Sequence, residues 1–167
     1  MHRSERGGFL NVHADFTMHH HKKNWRRRIN VIVYLNPDWK PAWGGAIELW
    51  NRDMTKCVVS VPPLANHAVI FNTDEHSFHG YADPITCPSG VCRRSLALYY
   101  YTAERDTKVP LSTNYQSRPE DGALTAALIW GDKQLVRLYS SVKSRLGLTD
   151  DFASRTLGFL DRRRKRQ

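Results

Sequence analysis

The sequence lacks a long apolar run, an export signal and an even set of cysteines. Its longest apolar stretches are strand-length, such as residues 31–35, whereas a membrane-spanning helix needs roughly 20 apolar residues. No apolar segment follows the polar start, so no secretory signal peptide is predicted. The 167 residues include three cysteines. These absences exclude a disulfide scaffold and predict a cytoplasmic protein without a membrane partner.

Acidic residues are also few. Asp and Glu number 16 against 25 Lys and Arg, which gives a net charge of +9. The excess is concentrated in residues 22–28 and 162–166, each of which holds five basic residues. Such clusters fit an acidic partner such as nucleic acid, but a charged chain end is more often simply solvated. Nucleic acid is therefore the less favoured partner.

The first hundred residues predict short β-strands separated by turns. Apolar residues that are β-branched or alternate with polar ones mark strands at 9–16, 29–35, 46–50, 57–61, 68–71 and 93–102. Turn residues such as Asn36-Pro37-Asp38 separate them. Short strands at regular spacing indicate a sandwich or barrel.

Beyond residue 118 the pattern becomes helical. Asp132 is placed to cap a helix, and Gly147 is placed to end it. The apolar face of this helix comprises Leu135, Leu138, Tyr139, Val142 and Leu146, at the spacing of one helical stripe. A second helix is predicted from Thr149. The chain thus predicts a β domain over residues 1–106, then a loop and helical extension with a basic tail over residues 107–167.

The candidate chemistry centres on His13 and Asp15. In a strand, residues i and i+2 point to the same face, so these side chains can converge on one ion. His76 and His79 are both available as a third ligand. Two imidazoles and one carboxylate on one face of a metal form the facial triad of non-haem Fe(II) oxygenases. A His-x-Asp pair is also common on surfaces, so the spacing alone does not establish a metal site.

A possible anion anchor lies on the predicted strand over residues 93–102. Arg93 and Ser95 share one face of it, and their donors suit a carboxylate. Tyr34 ends another strand and can donate a phenolic hydrogen bond to the same group. An arginine within an apolar strand is costly unless it is paired.

With these motifs in this order, the sequence resembles the iron(II)- and 2-oxoglutarate-dependent dioxygenases of the prolyl 4-hydroxylase-like group. The resemblance spans residues 8–102. The matching motifs are His13-Ala14-Asp15, Arg28-Ile29-Asn30-Val31-Ile32-Val33-Tyr34-Leu35-Asn36, Trp39, Gly44-Gly45, Glu48-Leu49-Trp50, Pro62, Phe71, Ser77-Phe78-His79-Gly80 and Arg93-Arg94-Ser95-Leu96.

The resemblance implies a role for each candidate residue. His13, Asp15 and His79, the histidine followed by glycine, would bind iron. Arg93, Ser95 and Tyr34 would bind the distal carboxylate of 2-oxoglutarate. The implied fold is mainly β, a double-stranded β-helix of the jelly-roll or cupin type, which would here be followed by C-terminal α-helices.

The implied activity is that of a hydroxylase. Fe(II) is the cofactor, 2-oxoglutarate and O2 are co-substrates, and ascorbate is an optional addition. Oxidative decarboxylation of 2-oxoglutarate to succinate and carbon dioxide would accompany hydroxylation of an unactivated C–H bond. The substrate would be a protein or peptide, with a prolyl residue as the target, or a small molecule.

Two departures leave alternatives open. The group carries a helix and strands before the His-x-Asp strand, whereas twelve residues precede His13, so the chain is a natural short form or lacks its N-terminal part. One alternative is a metal-binding β-helix without turnover that acts as a basic nucleic-acid or protein-binding module. Another is an oxygenase that acts on nucleic acid. The roles of His19, His20, His21 and the basic tail, and the oligomeric state, stay open as well.

Overall fold

The computed structural model describes residues 1–19, 21–22, 24–105 and 113–146, with side chains described as far as residue 135 in the last range. It divides into two compact units, Met1–Ile129 and Trp130–Gln167. The first unit contains every strand of the described residues. The domain division expected after residue 106 stays a prediction.

Two antiparallel sheets build the first unit. In chain order their strands are β1 (His2–Ser4), β2 (Leu10–Ala14), β3 (Trp25–Tyr34), β4 (Ile47–Trp50), β5 (Cys57–Val61), β6 (Ala68–Asn72), β7 (His79–Tyr81), β8 (Arg93–Ala103) and β9 (Asn114–Tyr115). Sheet A has the order β1-β8-β3-β6, and sheet B has the order β5-β4-β7-β2-β9. A short 3-10 helix, Pro41–Trp43, lies between β3 and β4.

The chain crosses repeatedly between the two sheets. Strands β1, β3, β6 and β8 lie in sheet A, while β2, β4, β5 and β7 lie in sheet B. This winding of eight strands through two facing sheets is a double-stranded β-helix. The predicted mainly β fold class is confirmed, with one helix following the strands in the described part of the chain.

Sheet A carries apolar side chains on both faces near the end of β3, which explains the apolar run there, although its inner face also holds the buried polar residues Arg27, Asn30, Arg93 and Ser95. Tyr34 and Ile32 face inward and pack in the core with Ile47 and Ile85. On the outer face, Val31 of β3 pairs with Leu98 of β8, and Leu98 is exposed. A strand that carries apolar side chains on both faces loses the polar alternation expected of a half-buried strand.

Three strands were not expected from the sequence. The short strands β1, β7 and β9 have two or three residues each, too few for a period-2 pattern to appear. Strand β1 pairs with β8 through His2 and Ser95, so sheet A begins at His2 and not near Phe9. Strand β3 also starts earlier than expected, at Trp25. The expected start was later because three arginines follow Trp25 and hide the apolar pattern of a strand.

The helix α1 (Ala123–Leu146) starts earlier than predicted, and the residue predicted to end it, Gly147, lies outside the described residues. The expectation that it begins after Asp132 is wrong, since nine residues precede that position in the helix. They are mainly Ala and Leu, which have high helix propensity without giving a one-sided pattern. The expected helix from Thr149 and the basic run at 162–166 lie outside the described residues. Among the residues that are described, no helix combines the length and hydrophobicity needed to span a bilayer.

Candidate metal centre and anion pocket

His13, Asp15 and His79 come together between the two sheets. One potential ligand atom from each lies within 4.8 Å of the others. His13 on β2 pairs directly with His79 on β7. The Nε2 atoms of both imidazoles lie 3.5 Å from oxygens of the Asp15 carboxylate, His13 from Oδ1 and His79 from Oδ2. This is a two-histidine, one-carboxylate donor set of the kind that holds non-haem Fe(II).

Both imidazoles are oriented by the backbone. His13 Nδ1 lies 2.8 Å from the carbonyl of Asn11, and His79 Nδ1 lies 2.9 Å from that of Ser77. A carbonyl only accepts, so each Nδ1 donates and each neutral ring keeps its Nε2 lone pair for a metal. Burial, followed by the electrostatic effect of nearby His13, lowers the pKa of His79 to about 4 against the opposing charge of Asp15. His79 is therefore a neutral ligand near pH 7.

Gly80 allows the two histidine strands to approach closely. A Cβ atom at this position would lie 2.7 Å from the carbonyl oxygen of Leu10 and 2.8 Å from the Cα of Val12. Both are backbone atoms of β2, so they cannot move aside without moving His13 on the same strand. The glycine that follows His79 is thus required by the packing of β7 against β2.

We expect Gly80→Ala to lower the free energy of unfolding by about 1–3 kcal/mol, the usual cost of an overpacked interior. Denaturant unfolding of the metal-free protein measures the loss. Gly122→Ala is the comparison variant, because nothing lies within 4 Å of a Cβ at that position. Gly122 is the N-cap of α1, so its replacement should cost at most about 1 kcal/mol, less than Gly80→Ala. Equal stability of the two variants would contradict the close-approach argument.

Asp15 is ionised and held on one side. Burial alone would raise the pKa of its carboxyl. The contact with His13, the electrostatic interactions with His79 and Arg27, and the amide of Asn30 together hold that pKa well below its ordinary value. Asn30 Nδ2 donates to Oδ2 at 2.7 Å, and Arg27 Nη2 forms an ion pair with the same oxygen at 3.0 Å.

Arg93 is a buried cation with only neutral contacts. Its side chain is 4% exposed. Its Nε donates to the carbonyl of Gly45 at 2.8 Å, its Nη2 donates to the Tyr34 hydroxyl at 3.3 Å, and the guanidinium lies over the ring of Tyr81. No carboxylate pairs with it in the described part of the chain. A buried charge of this kind is costly unless an anion completes it.

Tyr34 is positioned to add a neutral donor beside Arg93. Burial raises the pKa of its phenol to about 12, against the lowering effect of the Arg93 cation. The group therefore stays protonated near neutral pH. Since its oxygen accepts from Arg93, its own O–H is left to donate to a ligand.

One cavity joins the metal cluster to the anion anchor. It has a volume of about 220 Å³, and its lining includes His13, Asp15 and His79 together with Arg93 and Ser95. A small anion in it would meet both potential metal ligands and cationic and hydroxyl donors. The structure thus places five of the six predicted metal and carboxylate residues around one space, whereas Tyr34 does not line it and contacts Arg93 instead.

Other candidates lie apart from this cavity. His76 contacts Arg52 and Glu75 at the surface and is not in the metal cluster. His19 packs against the rings of Trp25 and Tyr101, whereas His20 lies outside the described residues. Cys57, Cys87 and Cys92 are free thiols.

Two residues that contact the metal cluster were not predicted from the sequence. In the sequence, Arg27 belongs to a charged run and Asn30 to the resemblance motif. Asn30 could have been identified because it is an amide within an apolar stretch of a predicted strand, and a buried amide needs a polar partner in the interior.

Comparison with known proteins gives a consistent family assignment. The family profile of the 2OG-Fe(II) oxygenase superfamily matches residues 1–101. Prolyl 3-hydroxylase OGFOD1 from Xenopus laevis is 30% identical over 79 residues, which are 45% of this chain and 15% of that protein. A Pseudomonas putida prolyl-4-hydroxylase structure is 21% identical, with a TM-score of 0.40, over 62% of this chain and 50% of that one. The chain therefore spans a small part of the curated relative.

Proposed function

Because the chain belongs to the 2OG-Fe(II) oxygenase superfamily, we propose that it hydroxylates an unactivated C–H bond, with a prolyl residue of a protein or peptide as the target. The supporting observation is that Arg93, a buried cation with no acidic partner among the residues that the structure describes, lines the same cavity as the His13, Asp15 and His79 cluster. The lining of that cavity thus combines potential metal ligands with donors that suit a carboxylate. The Xenopus laevis relative is a prolyl 3-hydroxylase by name, which favours proline as the target.

The donor set fits Fe(II). His13 and His79 present Nε2 atoms and Asp15 presents a carboxylate oxygen, so these three residues would hold the ion. Bound Fe(II) supplies the capacity to activate O2 with 2-oxoglutarate, whose oxidative decarboxylation gives succinate and carbon dioxide as R–H becomes R–OH. The chain binds the distal carboxylate of 2-oxoglutarate through Arg93, Ser95 and Tyr34, and the buried walls of the cavity exclude water.

Two further parts of the proposal concern conditions. Ascorbate would act as a reductant that keeps the iron in the ferrous state. A reducing compartment such as the cytoplasm would keep the three free thiols reduced, and two of these thiols are buried. Activity assays with and without ascorbate, and fractionation of cells that express the protein, test these two parts separately.

The decisive experiment is an oxygen-exposure assay on the full chain. The protein is loaded anaerobically with Fe(II) and 2-oxoglutarate and then exposed to O2 with proline-containing peptides. We expect succinate formation that depends on the peptide, and a peptide mass gain of one oxygen atom. Asp15→Ala is the inactive control.

Other outcomes of this assay would change the proposal. Binding of Fe(II) and 2-oxoglutarate without succinate from any substrate would support the binding-module alternative. Succinate formed with single-stranded nucleic acid but not with peptides would replace the prolyl substrate, and a steep salt dependence of that binding would accompany it.

A further inference from the structure

Arg27 is the buried member of a run of three arginines. Its side chain is 2% exposed, whereas Arg28 is exposed and pairs with Glu104. The Arg27 guanidinium lies 3.7 Å from the centre of the Tyr99 ring, and its Nε donates to Asn30 Oδ1 at 2.7 Å. It is thus fixed by a ring face, an amide and the Asp15 carboxylate. Arginine is seldom fully buried unless it is paired, so the burial of Arg27 depends on these three partners.

A β-bulge puts Arg27 in this position. Along the pairing of β3 with β8, Arg27 is opposite Tyr101 while Ile29 is opposite Tyr100. Arg28 is therefore an extra residue on β3. In a regular strand, residues three apart point to opposite faces. The extra residue instead brings Arg27 and Asn30 to the same inner face, which is how bulges re-aim side chains near functional sites.

Asn30 has only one amide orientation that fits its partners. Its Oδ1 accepts from Arg27 Nε and from the Thr73 hydroxyl, the latter at 3.2 Å, and its Nδ2 donates to Asp15 Oδ2. Asn30 and Thr73 are 2% and 4% exposed. Reversing the amide would set two donors against each other, so this network fixes which atom faces Asp15.

Both contacts meet the same oxygen of Asp15. Asn30 Nδ2 and Arg27 Nη2 lie against Oδ2, at 2.7 and 3.0 Å. His79 Nε2 also lies 3.5 Å from Oδ2, whereas His13 Nε2 lies 3.5 Å from Oδ1. We propose that Arg27 is a positioning residue which, together with Asn30, holds Oδ2 and so leaves Oδ1 as the metal-binding oxygen. This inference rests on the metal site of the proposed function. A carboxylate held to one ligating oxygen keeps more metal positions open for the co-substrates than one that binds through both.

The test measures Co(II) binding to the full chain without co-substrate. In Arg27→Gln we expect Co(II) to bind about 10–100-fold more weakly, the usual effect of losing an outer partner of a ligand, and we expect a changed visible spectrum. Arg27→Lys should recover part of the affinity, because it restores the charge but not the fork of donors. Arg28→Gln is the matched control and should leave affinity and spectrum unchanged.

A purely charge-balancing role predicts the opposite sign. If Arg27 only neutralised Asp15, its removal would leave the carboxylate more negative, and Co(II) would bind more tightly. Tighter or unchanged binding with an unchanged spectrum in folded Arg27→Gln would overturn the proposal.

Asn30→Ala keeps the test decisive if Arg27→Gln does not fold. It removes the amide donor from Oδ2 without unpairing a charge, and it should also weaken Co(II) binding and alter the spectrum. Wild-type binding in Asn30→Ala would then overturn the positioning role. Failure of the wild-type chain itself to bind Co(II) would contradict the proposed function instead, so the two failures are distinguishable.

Discussion

Asp15→Ala is expected to abolish substrate-dependent succinate formation and to weaken Fe(II) binding by more than about 100-fold, beyond the range seen for loss of an outer partner of a ligand. Asp15 is the only anionic member of the cluster with His13 and His79. Its removal also leaves the buried Arg27 cation without its ion pair. Anaerobic Fe(II) titration and a succinate assay measure the two effects, and a thermal melt separates them from unfolding.

His79→Ala and His76→Ala form the matched pair for this prediction. His79 is 4% exposed and lies in the cluster, so its loss should resemble that of Asp15. His76 lies outside it, beside Arg52 and Glu75, so its loss should leave Fe(II) binding nearly unchanged. Equal losses from the two histidine variants would show that the distal ligand is wrongly assigned.

The second large effect is expected from Arg93→Ala, which should weaken 2-oxoglutarate binding by roughly one to two orders of magnitude. A hydrogen bond to a charged group contributes about 1.5–3 kcal/mol, and each 1.4 kcal/mol is about tenfold in affinity. Fe(II) affinity without co-substrate should change little, because Arg93 is not in the metal cluster. Titration of 2-oxoglutarate into the anaerobic Fe(II) protein, followed by its charge-transfer absorbance, gives both values.

Neighbouring variants test the geometry of this anchor. Ser95→Ala and Tyr34→Phe should each give intermediate losses, since each removes one neutral donor. Arg94→Ala should be mild, because the Arg94 side chain is exposed on the outer face of sheet A and contacts the Cys92 sulfur. If Arg93→Ala left 2-oxoglutarate binding unchanged and Arg94→Ala weakened it, the anion pocket would be assigned here to the wrong face of β8.

The longer strands were predictable because each carries its own pattern. The run of β-branched residues at Cys57–Val61 coincides with β5, and the predicted strand from Arg93 coincides with the start of β8. Strands β1 and β7 have three residues each and depend on long-range partners. Their existence is decided by pairing with β8 and β2, which local sequence does not report.

The site was predictable where spacing carries the geometry. His13 and Asp15 share a strand face by simple alternation, and the choice of His79 followed from the glycine after it, whose role is now seen in the close approach to β2. The inward orientation of Arg27 could not be predicted, because the bulge at Arg28 reverses the regular alternation of side chains along β3. The number of residues between two positions fixes a shared face only in an uninterrupted strand.

The pairing of His2 with Ser95 and of Tyr34 with Ser95 has a kinetic consequence. Strand β8 lies between β1 and β3 in sheet A, yet it is the last of the four strands of that sheet to leave the ribosome. Until it emerges, the edges of β1 and β3 that face it stay unpaired for several seconds at about 5–20 residues per second. Such non-local pairing gives a high contact order and slow folding. We therefore expect chaperone dependence to be governed by residues 93–103, and the yield of soluble protein to be most sensitive to substitutions there.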